Sequence, residues 1–265
     1  MKSVLTIAGF DGSCGAGLQA DLKTFAALGC YGTTVMTALT IQNTLGVFGC
    51  YDMPLKSIKE QLQVIFDDIK PDAIKIGMLF NNEIIHEVAQ FLKPYYKDIP
   101  IVLDPVMVAK SGDNLLLKDA IEALKFELIP LTSILTPNIP EACSLLGFKA
   151  IDKTTMEEAA KILLSLGPKA VLLKGGHLGS SYATDLFIGS DKEFEYFSQP
   201  RIESKNTHGT GCTLSSSIAS FLALGQSPLM ACKKAKDYLH GAITRGAVDS
   251  VGKGHGPVHH FYKWW

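Results

Sequence analysis

Short apolar segments alternate along nearly the whole chain with longer segments whose apolar residues recur at helical spacing. The short segments are rich in Val, Ile and Leu and are bounded by Gly, Pro or Asn, which is typical of buried strands. The predicted strands are 4–8, 33–41, 73–76, 101–103, 134–136 and 170–173. The predicted helices are 18–28, 58–69, 83–92, 119–124, 156–166, 213–223 and 229–243. This alternation predicts an α/β fold with a mostly parallel central sheet and helices on both faces.

Near residue 190 the alternation gives way to two adjacent strands. Segments 186–188 and 193–197 flank the polar sequence GSDK, which predicts an antiparallel hairpin. Neither a linker-like composition nor an internal repeat divides the sequence, and 265 residues can fold around one core. We therefore expect a single domain over residues 1–265.

Charge and composition narrow the range of functions. The net charge is -1 at pH 7, so the chain lacks the positive field that supplies non-specific affinity for nucleic acid. Its apolar runs fall short of the roughly 18 residues of a membrane span, and segment 4–8 is too short for a signal peptide. The six cysteines form no CxxC pair of a zinc site. We expect a cytoplasmic protein with free thiols and with neither nucleic-acid nor membrane partners.

Residues 204–222, SKNTHGTGCTLSSSIASFL, combine a glycine-rich turn with the start of a predicted helix. Gly209 and Gly211 bracket Thr210, and Cys212 follows directly. Unpaired backbone N–H groups at the start of a helix bind anions, here a phosphate group. A thiol at the positive end of a helix is expected to have a lowered pKa. The segment therefore predicts a phosphate site beside a general base, the alternative being a small buried core cysteine.

Polar, glycine-bearing or acidic loops follow several of the predicted strands. They are AGFDGSCGAG at 8–17, TIQNTLG at 40–46, LDPVMVAKSG at 103–112, TPNIPEA at 136–142 and KGGH at 174–177. Ligands of open α/β sheets bind beyond the carboxyl ends of the strands, so these loops are expected to form the site. The sequence has no GxxxxGK[ST] motif and no GxGxxG after the first strand. Phosphate is therefore held by another arrangement.

Five motifs, in this order, resemble those of the ribokinase-like superfamily: AGFDGSCGAGLQADLKTF, LDPVM, TPNIPEA, KGGH and HGTGCT. They look most like its hydroxymethylpyrimidine/phosphomethylpyrimidine kinases of thiamine biosynthesis, which carry GTGC or GAGC where sugar kinases carry Asp. The resemblance implies a ribokinase-like fold and phosphorylation by ATP of 4-amino-5-hydroxymethyl-2-methylpyrimidine and of its monophosphate. Pyridoxine and pyridoxal kinases share the phosphate-side motifs and remain an alternative. A non-catalytic binding domain with the same fold is another.

The resemblance also implies roles for the phosphate-side residues. The turn Gly209–Cys212 is expected to be an anion hole, and Cys212 the base that acts on the acceptor hydroxyl. Asn138 and Glu141, spaced as NxxE, match the superfamily element that organises Mg²⁺ and phosphate, and Mg²⁺ prefers hard oxygen ligands. Asp104 ends a predicted buried strand, where an unpaired charge would be costly, and is the other expected metal residue beside Glu141. The structural alternatives are a cap or ion pair for Asp104 and a first-turn helix carboxylate for Glu141. Four residues are expected to contact ATP or its phosphates: Asn138, Lys174, Gly176 and Thr207.

The acceptor pocket is expected to lie against the first two loops. By resemblance, four residues bind the pyrimidine: Gly9, Gln42, Met78 and Val106. The carboxamide of Gln42 offers an acceptor and donors side by side, which matches the edge of an aminopyrimidine. Met78 is equally compatible with an ordinary core position.

Some positions depart from the family pattern or carry no clear role. The usual loop AGSDPSGGAG has Ser, Pro and Gly where this chain has Phe10, Gly12 and Cys14, so a narrower or drier pocket mouth is expected. His208 is a candidate to orient the phosphate loop or a structural residue, and His177 has weaker support. Asp21 and Lys23 lie in the first motif, and the sequence assigns them no role. The resemblance further implies a homodimer.

Overall fold

The computed structural model describes residues 1–107, 120–176, 178–179, 181–249 and 251–265. Within these ranges one sheet contains nine strands, which are β1 Ser3–Asp11, β2 Tyr31–Asn43, β3 Gly46–Asp52, β4 Ala73–Ile76, β5 Ile101–Leu103, β6 Ile134–Leu135, β7 Val171–Leu173, β8 Tyr182–Ile188 and β9 Phe194–Pro200. Their spatial order is β3-β2-β1-β4-β5-β6-β7-β8-β9.

The six central strands, β2 to β7 in this order, run parallel. Antiparallel strands complete the sheet at both edges, β3 beside β2 and the hairpin of β8 and β9 beside β7. The hairpin pairs Ile188 with Phe194 across the GSDK turn. The prediction of a mostly parallel sheet with a terminal hairpin is confirmed.

The helices are α1 Gly17–Ala27, α2 Leu55–Asp68, α3 Asn82–Leu92, α4 Ala120–Ala123, α5 Ile139–Leu146, α6 Met156–Ser165, α7 Thr210–Ala223 and α8 Pro228–Gly246. A π-helical turn, Leu124–Leu128, and a 3₁₀ turn, Ile129–Leu131, continue α4.

The helices cover both faces of the sheet because successive strand residues point to opposite sides. On β1, Leu5 packs with α2 to α6 in one core, whereas Val4 packs with α1, α7 and α8 in the other. The site described below lies where α1 and α7 begin, against the carboxyl ends of the parallel strands.

Three elements differ from the sequence prediction. Helix α7 begins at Thr210 rather than at 213, so the glycine turn itself is the helix start. Helix α5 was expected to be a loop because Pro140 and Asn138 are turn formers, but both suit the first turn of a helix. Strand β3 has a weak strand pattern that two glycines interrupt. Part of the predicted loop 103–112 and the start of helix 119–124 lie outside the described residues.

None of the helices in the described ranges combines the length and the apolarity that crossing a bilayer requires.

Candidate active site

A cavity of about 450 Å³ opens at the carboxyl ends of the parallel strands, between the loop after β1 and the start of α7. All the residues predicted for the site except Gly176 line it. A second cavity of about 360 Å³ adjoins it, and Gly176 lines that one. Lys174, Thr207 and Gly211 line both cavities. The fold therefore brings the predicted acceptor and nucleotide residues to neighbouring spaces.

The turn before α7 has a backbone shape that requires glycine. Gly209 is the N-cap residue of α7 and has φ 77°, in the left-handed region. A Cβ atom at Gly209 would overlap the carbonyl oxygen of Gly15, so the turn rests directly on the loop after β1. The N–H groups of the first helical turn have no helical carbonyl to which they can donate. Thr210 N donates to the Thr207 carbonyl oxygen at 3.4 Å, and the N–H groups of Gly211 and Cys212 are available to an anion in the cavity.

The Cys212 thiol lies in the first turn of α7, beneath the cavity. Burial raises its pKa to about 11, although the Lys75 ammonium group opposes this, and the carboxylates of Asp21 and Asp104 raise it further. The prediction of a lowered pKa is therefore wrong. The helix N-terminus favours the thiolate at this position, but the cost of burying the charged thiolate outweighs that effect. Cys212 is a neutral thiol at pH 7.

Asp21, to which the sequence assigned no role, forms a buried ion pair whose charges act on the Cys212 thiol. The fully buried Lys75 Nζ donates to Asp21 Oδ2 at 2.7 Å. The same carboxylate accepts hydrogen bonds from Thr6 Oγ1 at 2.6 Å and Ser216 Oγ at 2.5 Å. This network joins β1, β4, α1 and α7. The sequence placed Asp21 within a motif, but nothing in it indicated that Lys75, inside an apolar strand, was the partner.

A second cation lies between two carboxylates at the boundary of the cavities. Lys174 Nζ donates to Asp104 Oδ1 at 2.7 Å and lies 3.8 Å from Glu141 Oε2. Glu141 also forms a capping box with Asn138, each side chain accepting from the other residue's backbone N–H. Burial raises the pKa of Glu141 to about 7, and Lys174 opposes that rise. Asp104 thus forms a structural ion pair and Glu141 is a first-turn helix carboxylate, as the structural alternatives predicted. Both residues also line the cavity.

The second cavity contains charged residues that sequence reasoning missed. Lys236 Nζ donates to Asp185 Oδ2 at 2.7 Å, and Asp185 Oδ1 accepts from the N–H of Gly175 at 3.0 Å. Arg201 donates to the carbonyl oxygen of Gly176 at 2.9 Å. Asp185 lies on β8, Lys236 lies on α8 and Arg201 directly follows β9. All three are outside every recognised motif, so only the fold brings them to the site. His177 lies outside the described residues.

On the acceptor side, Asp11, His208 and Gln42 form a chain of contacts. His208 Nε2 lies 2.8 Å from Asp11 Oδ2 and 3.1 Å from Gln42 Nε2. The ring packs so closely on Gly15 that a Cβ atom there would overlap it. His208 therefore contacts the acceptor side of the site, as well as preceding the phosphate turn.

The positions that depart from the family pattern lie around the acceptor loop. Phe10 lines the cavity. Cys14 adopts φ 59°, and its carbonyl oxygen accepts a hydrogen bond from Lys23 Nζ at 2.8 Å. A Cβ atom at Gly12 would lie 3.5 Å from the Phe10 ring. Lys23 thus supports the loop after β1 from outside the cavity.

Comparison with known sequences identifies relatives over almost the whole chain. The sequence profile of the family described as phosphomethylpyrimidine kinase matches residues 11–259. The hydroxymethylpyrimidine/phosphomethylpyrimidine kinase of Rhizobium meliloti is 47% identical over 98% of this chain and 97% of that protein. The thiamine biosynthesis bifunctional protein ThiED of Geobacter sulfurreducens is 49% identical over 97% of this chain, which spans about half (52%) of that longer protein.

Solved structures show the same relationship in three dimensions. The phosphomethylpyrimidine kinase of Clostridium difficile is 46% identical, with a TM-score of 0.80 over 92% of this chain and 100% of that one. The pyridoxal kinase of Staphylococcus aureus in complex with AMP-PCP and pyridoxal is 33% identical, with a TM-score of 0.91 over 100% of this chain and 95% of that one. The ribokinase-like fold and the use of ATP follow from these likenesses. The chain belongs to the phosphomethylpyrimidine kinase family and is a phosphotransferase.

Proposed function

We propose that the protein transfers the γ-phosphoryl group of ATP to 4-amino-5-hydroxymethyl-2-methylpyrimidine and then to its monophosphate. The observation that carries this proposal is the convergence of the Gln42 carboxamide and the Cys212 helix start on one cavity, next to a second cavity lined by Lys174. The names of the most similar relatives support a pyrimidine over pyridoxal as the acceptor.

Phosphoryl transfer requires the protein to position two substrates and to stabilise negative charge on the moving group. The first-turn N–H groups of α7 are fixed donors that suit this role. Lys174, which lines both cavities, is a cation at their boundary, where the phosphate groups of ATP would meet the acceptor. We assign the nucleotide to the second cavity and the pyrimidine to the first.

The carboxylates beside Lys174 fit a magnesium ion. The described residues contain no group of three or more His, Cys, Asp or Glu side chains that could hold a metal alone. Mg²⁺ keeps several waters and binds through one or two carboxylates plus phosphate oxygens, so a larger group is not required. Asp104 and Glu141 would hold the ion, directly or through water. When bound, it would neutralise charge on the phosphate groups.

The proton of the acceptor hydroxyl passes to Cys212 in this scheme. Because the resting thiol is neutral, only its small thiolate fraction can accept the proton, and Lys75 stabilises that fraction. The monophosphate acceptor carries its own negative charge and requires no base.

A panel of acceptors tests the proposal through ADP release. The panel contains the aminohydroxymethylpyrimidine, its monophosphate, pyridoxine, pyridoxal and ribose. We expect the two pyrimidines to have the highest kcat/KM, and Cys212→Ala to lower the first phosphorylation by roughly 10²–10⁴ without unfolding the protein. A higher kcat/KM for pyridoxine or pyridoxal would instead identify a vitamin B6 kinase. ADP release from none of the acceptors would refute the kinase assignment.

Three further parts of the proposal concern organisation. We propose that residues 1–265 form one domain, because the named strands share a single sheet. We also propose that the protein is cytoplasmic and that it forms a homodimer. Exposed apolar side chains on the β2–β3 hairpin support the dimer. They are Ile41, Leu45, Phe48 and Tyr51. Sedimentation velocity would measure the oligomeric state.

A further inference from the structure

The Asp11 carboxylate is saturated with hydrogen-bond donors. It accepts from Ser13 N at 2.9 Å, Ser13 Oγ at 2.7 Å, Gly15 N at 3.1 Å, Ala16 N at 2.8 Å and His208 Nε2 at 2.8 Å. Burial alone raises the pKa of Asp11, but the bonds from His208, Ser13 and Ala16 lower it to about 2. The carboxylate is therefore ionised and can only accept hydrogen bonds.

His208 must consequently carry its proton on Nε2, because that nitrogen lies within hydrogen-bond distance of an obligatory acceptor. The Gln42 amide group lies 3.1 Å from the same ring nitrogen. An amide NH₂ cannot bond to a ring N–H, since both are donors. The amide oxygen and nitrogen of Gln42 have nearly the same shape, so the hydrogen-bond pattern decides their placement. If the Gln42 amide oxygen faces His208, the Nε2–H group of the ring is shared between that oxygen and the Asp11 carboxylate.

Thr40 leads independently to the same orientation. Its hydroxyl donates its only proton to the carbonyl oxygen of Phe10 at 2.7 Å. The other end of the Gln42 amide lies 3.4 Å from Thr40 Oγ1. With its proton used, this hydroxyl can only accept, so the Gln42 nitrogen must face it. The oxygen toward His208 and the nitrogen toward Thr40 satisfy both contacts.

We propose that Asp11 and His208 are positioning residues that fix the orientation of the Gln42 amide and so determine which pyrimidine is accepted. This inference rests on the proposed function. The fixed Gln42 amide leaves one N–H and one oxygen lone pair for a ligand. The donor is always on the Thr40 side and the acceptor on the His208 side. A 4-amino pyrimidine offers a ring nitrogen that accepts and an amino group that donates, which matches that order.

The 4-oxo analogue reverses the pattern, because its ring N–H donates and its carbonyl oxygen accepts. A freely turning amide would accommodate either ring by flipping, whereas the fixed amide accommodates only one. The ring cannot turn over to compensate, because its hydroxymethyl group must face α7 for transfer. A fully buried site built on hydrogen bonds rejects a mismatched ligand by about 10⁴–10⁵-fold. Since Gln42 is only half-buried, we expect about 100-fold here.

The test compares wild type, His208→Leu and His208→Gln. For each protein, kcat/KM is measured with 5-hydroxymethyl-2-methylpyrimidine carrying a 4-amino or a 4-oxo group. We expect the amino-to-oxo ratio to fall at least tenfold in His208→Leu, while the KM for ATP changes less than twofold. His208→Gln should restore most of the ratio, because its amide nitrogen can donate from the position of Nε2. An unchanged ratio in His208→Leu, with both rates lowered equally, would overturn the specificity role.

A second measurement does not depend on the acceptor. In protein labelled with ¹⁵N-histidine, the His208 ring signals are identified by their loss in His208→Gln. A protonated Nε2 and a bare Nδ1 support the proposed orientation, whereas a bare Nε2 overturns it. If wild type phosphorylates neither pyrimidine, the proposed function fails together with the specificity role. In that case the ¹⁵N signals of His208 still show which ring nitrogen carries the proton, and therefore which way the Gln42 amide points.

Discussion

The raised pKa of Cys212 makes the two phosphorylation steps respond differently to pH. With a pKa of about 11, the thiolate fraction is about 10⁻⁴ at pH 7 and about 10⁻² at pH 9. If the thiolate removes the hydroxyl proton, kcat/KM for the first step should rise about 100-fold over this interval. The sign follows from the upward shift, since the neutral thiol persists until alkaline pH. The monophosphate acceptor is already close to a dianion at pH 7, so its step should be nearly independent of pH.

The variant Cys212→Asp tests the same argument by replacing the neutral thiol with a group that is already charged. An aspartate is ionised throughout this range, so the first step should no longer depend on pH. The new carboxylate would also repel a monophosphate acceptor. At about 4 Å and an effective dielectric of about 20, two unit charges repel by about 4 kcal/mol, or roughly a thousandfold in rate. The neutral thiol of the wild type causes no such repulsion, so the variant should lose the second step selectively.

Coupled ADP release, measured from pH 7 to pH 9 with each acceptor separately, follows both steps. The monophosphate reaction in the same buffers controls for effects of pH on ATP binding. With limiting pyrimidine, ADP released per pyrimidine should be about two for wild type and about one for Cys212→Asp. A wild-type first step with the same kcat/KM at pH 7 and pH 9 would refute thiolate catalysis. Full diphosphate formation by the variant would refute the argument from charge.

Two further predictions concern buried carboxylates. Glu141→Gln keeps a residue that can complete the capping box with Asn138 but removes a hard anionic ligand, so the Mg²⁺ concentration for half-maximal activity should rise severalfold. An unchanged Mg²⁺ titration would exclude Glu141 from the metal site. Asp185→Asn leaves the Lys236 ammonium group buried without its charge partner and should lower the free energy of unfolding by about 3–5 kcal/mol in urea titrations. The double variant Asp185→Asn, Lys236→Met should recover most of this loss, and no recovery would contradict the ion-pair explanation.

The sequence predicted the parts of the molecule that local patterns determine. Strands β4 and β5 have the predicted bounds, because short β-rich apolar segments between turn formers are a local signal. The start of α7 at the glycine turn was predicted to within three residues, since the motif and the helix it begins are contiguous. The acceptor and phosphate residues came from motif resemblance, and the fold places them around two adjoining cavities.

Properties that depend on distant parts of the chain could not be predicted in this way. The pKa of Cys212 was expected to fall, because only the helix start is visible in the sequence. The atoms that bury the thiol, and the charges of Lys75, Asp21 and Asp104, come from other elements. Asp185 and Lys236 are likewise 51 residues apart. Local periodicity contains no information on such pairs.

The backbone contact between Gly209 and Gly15 joins the two halves of the site mechanically. Because a Cβ atom at Gly209 would overlap the Gly15 carbonyl oxygen, the backbones of the phosphate turn and the acceptor loop are in direct contact. We expect an acceptor that orders the loop after β1 to order the turn that faces ATP as well, so that the second ligand loses less conformational entropy on binding. Linkage makes this effect reciprocal, and each substrate raises the affinity of the other by the same factor. We therefore expect the contact between these two glycines to produce binding synergy between the pyrimidine and the nucleotide.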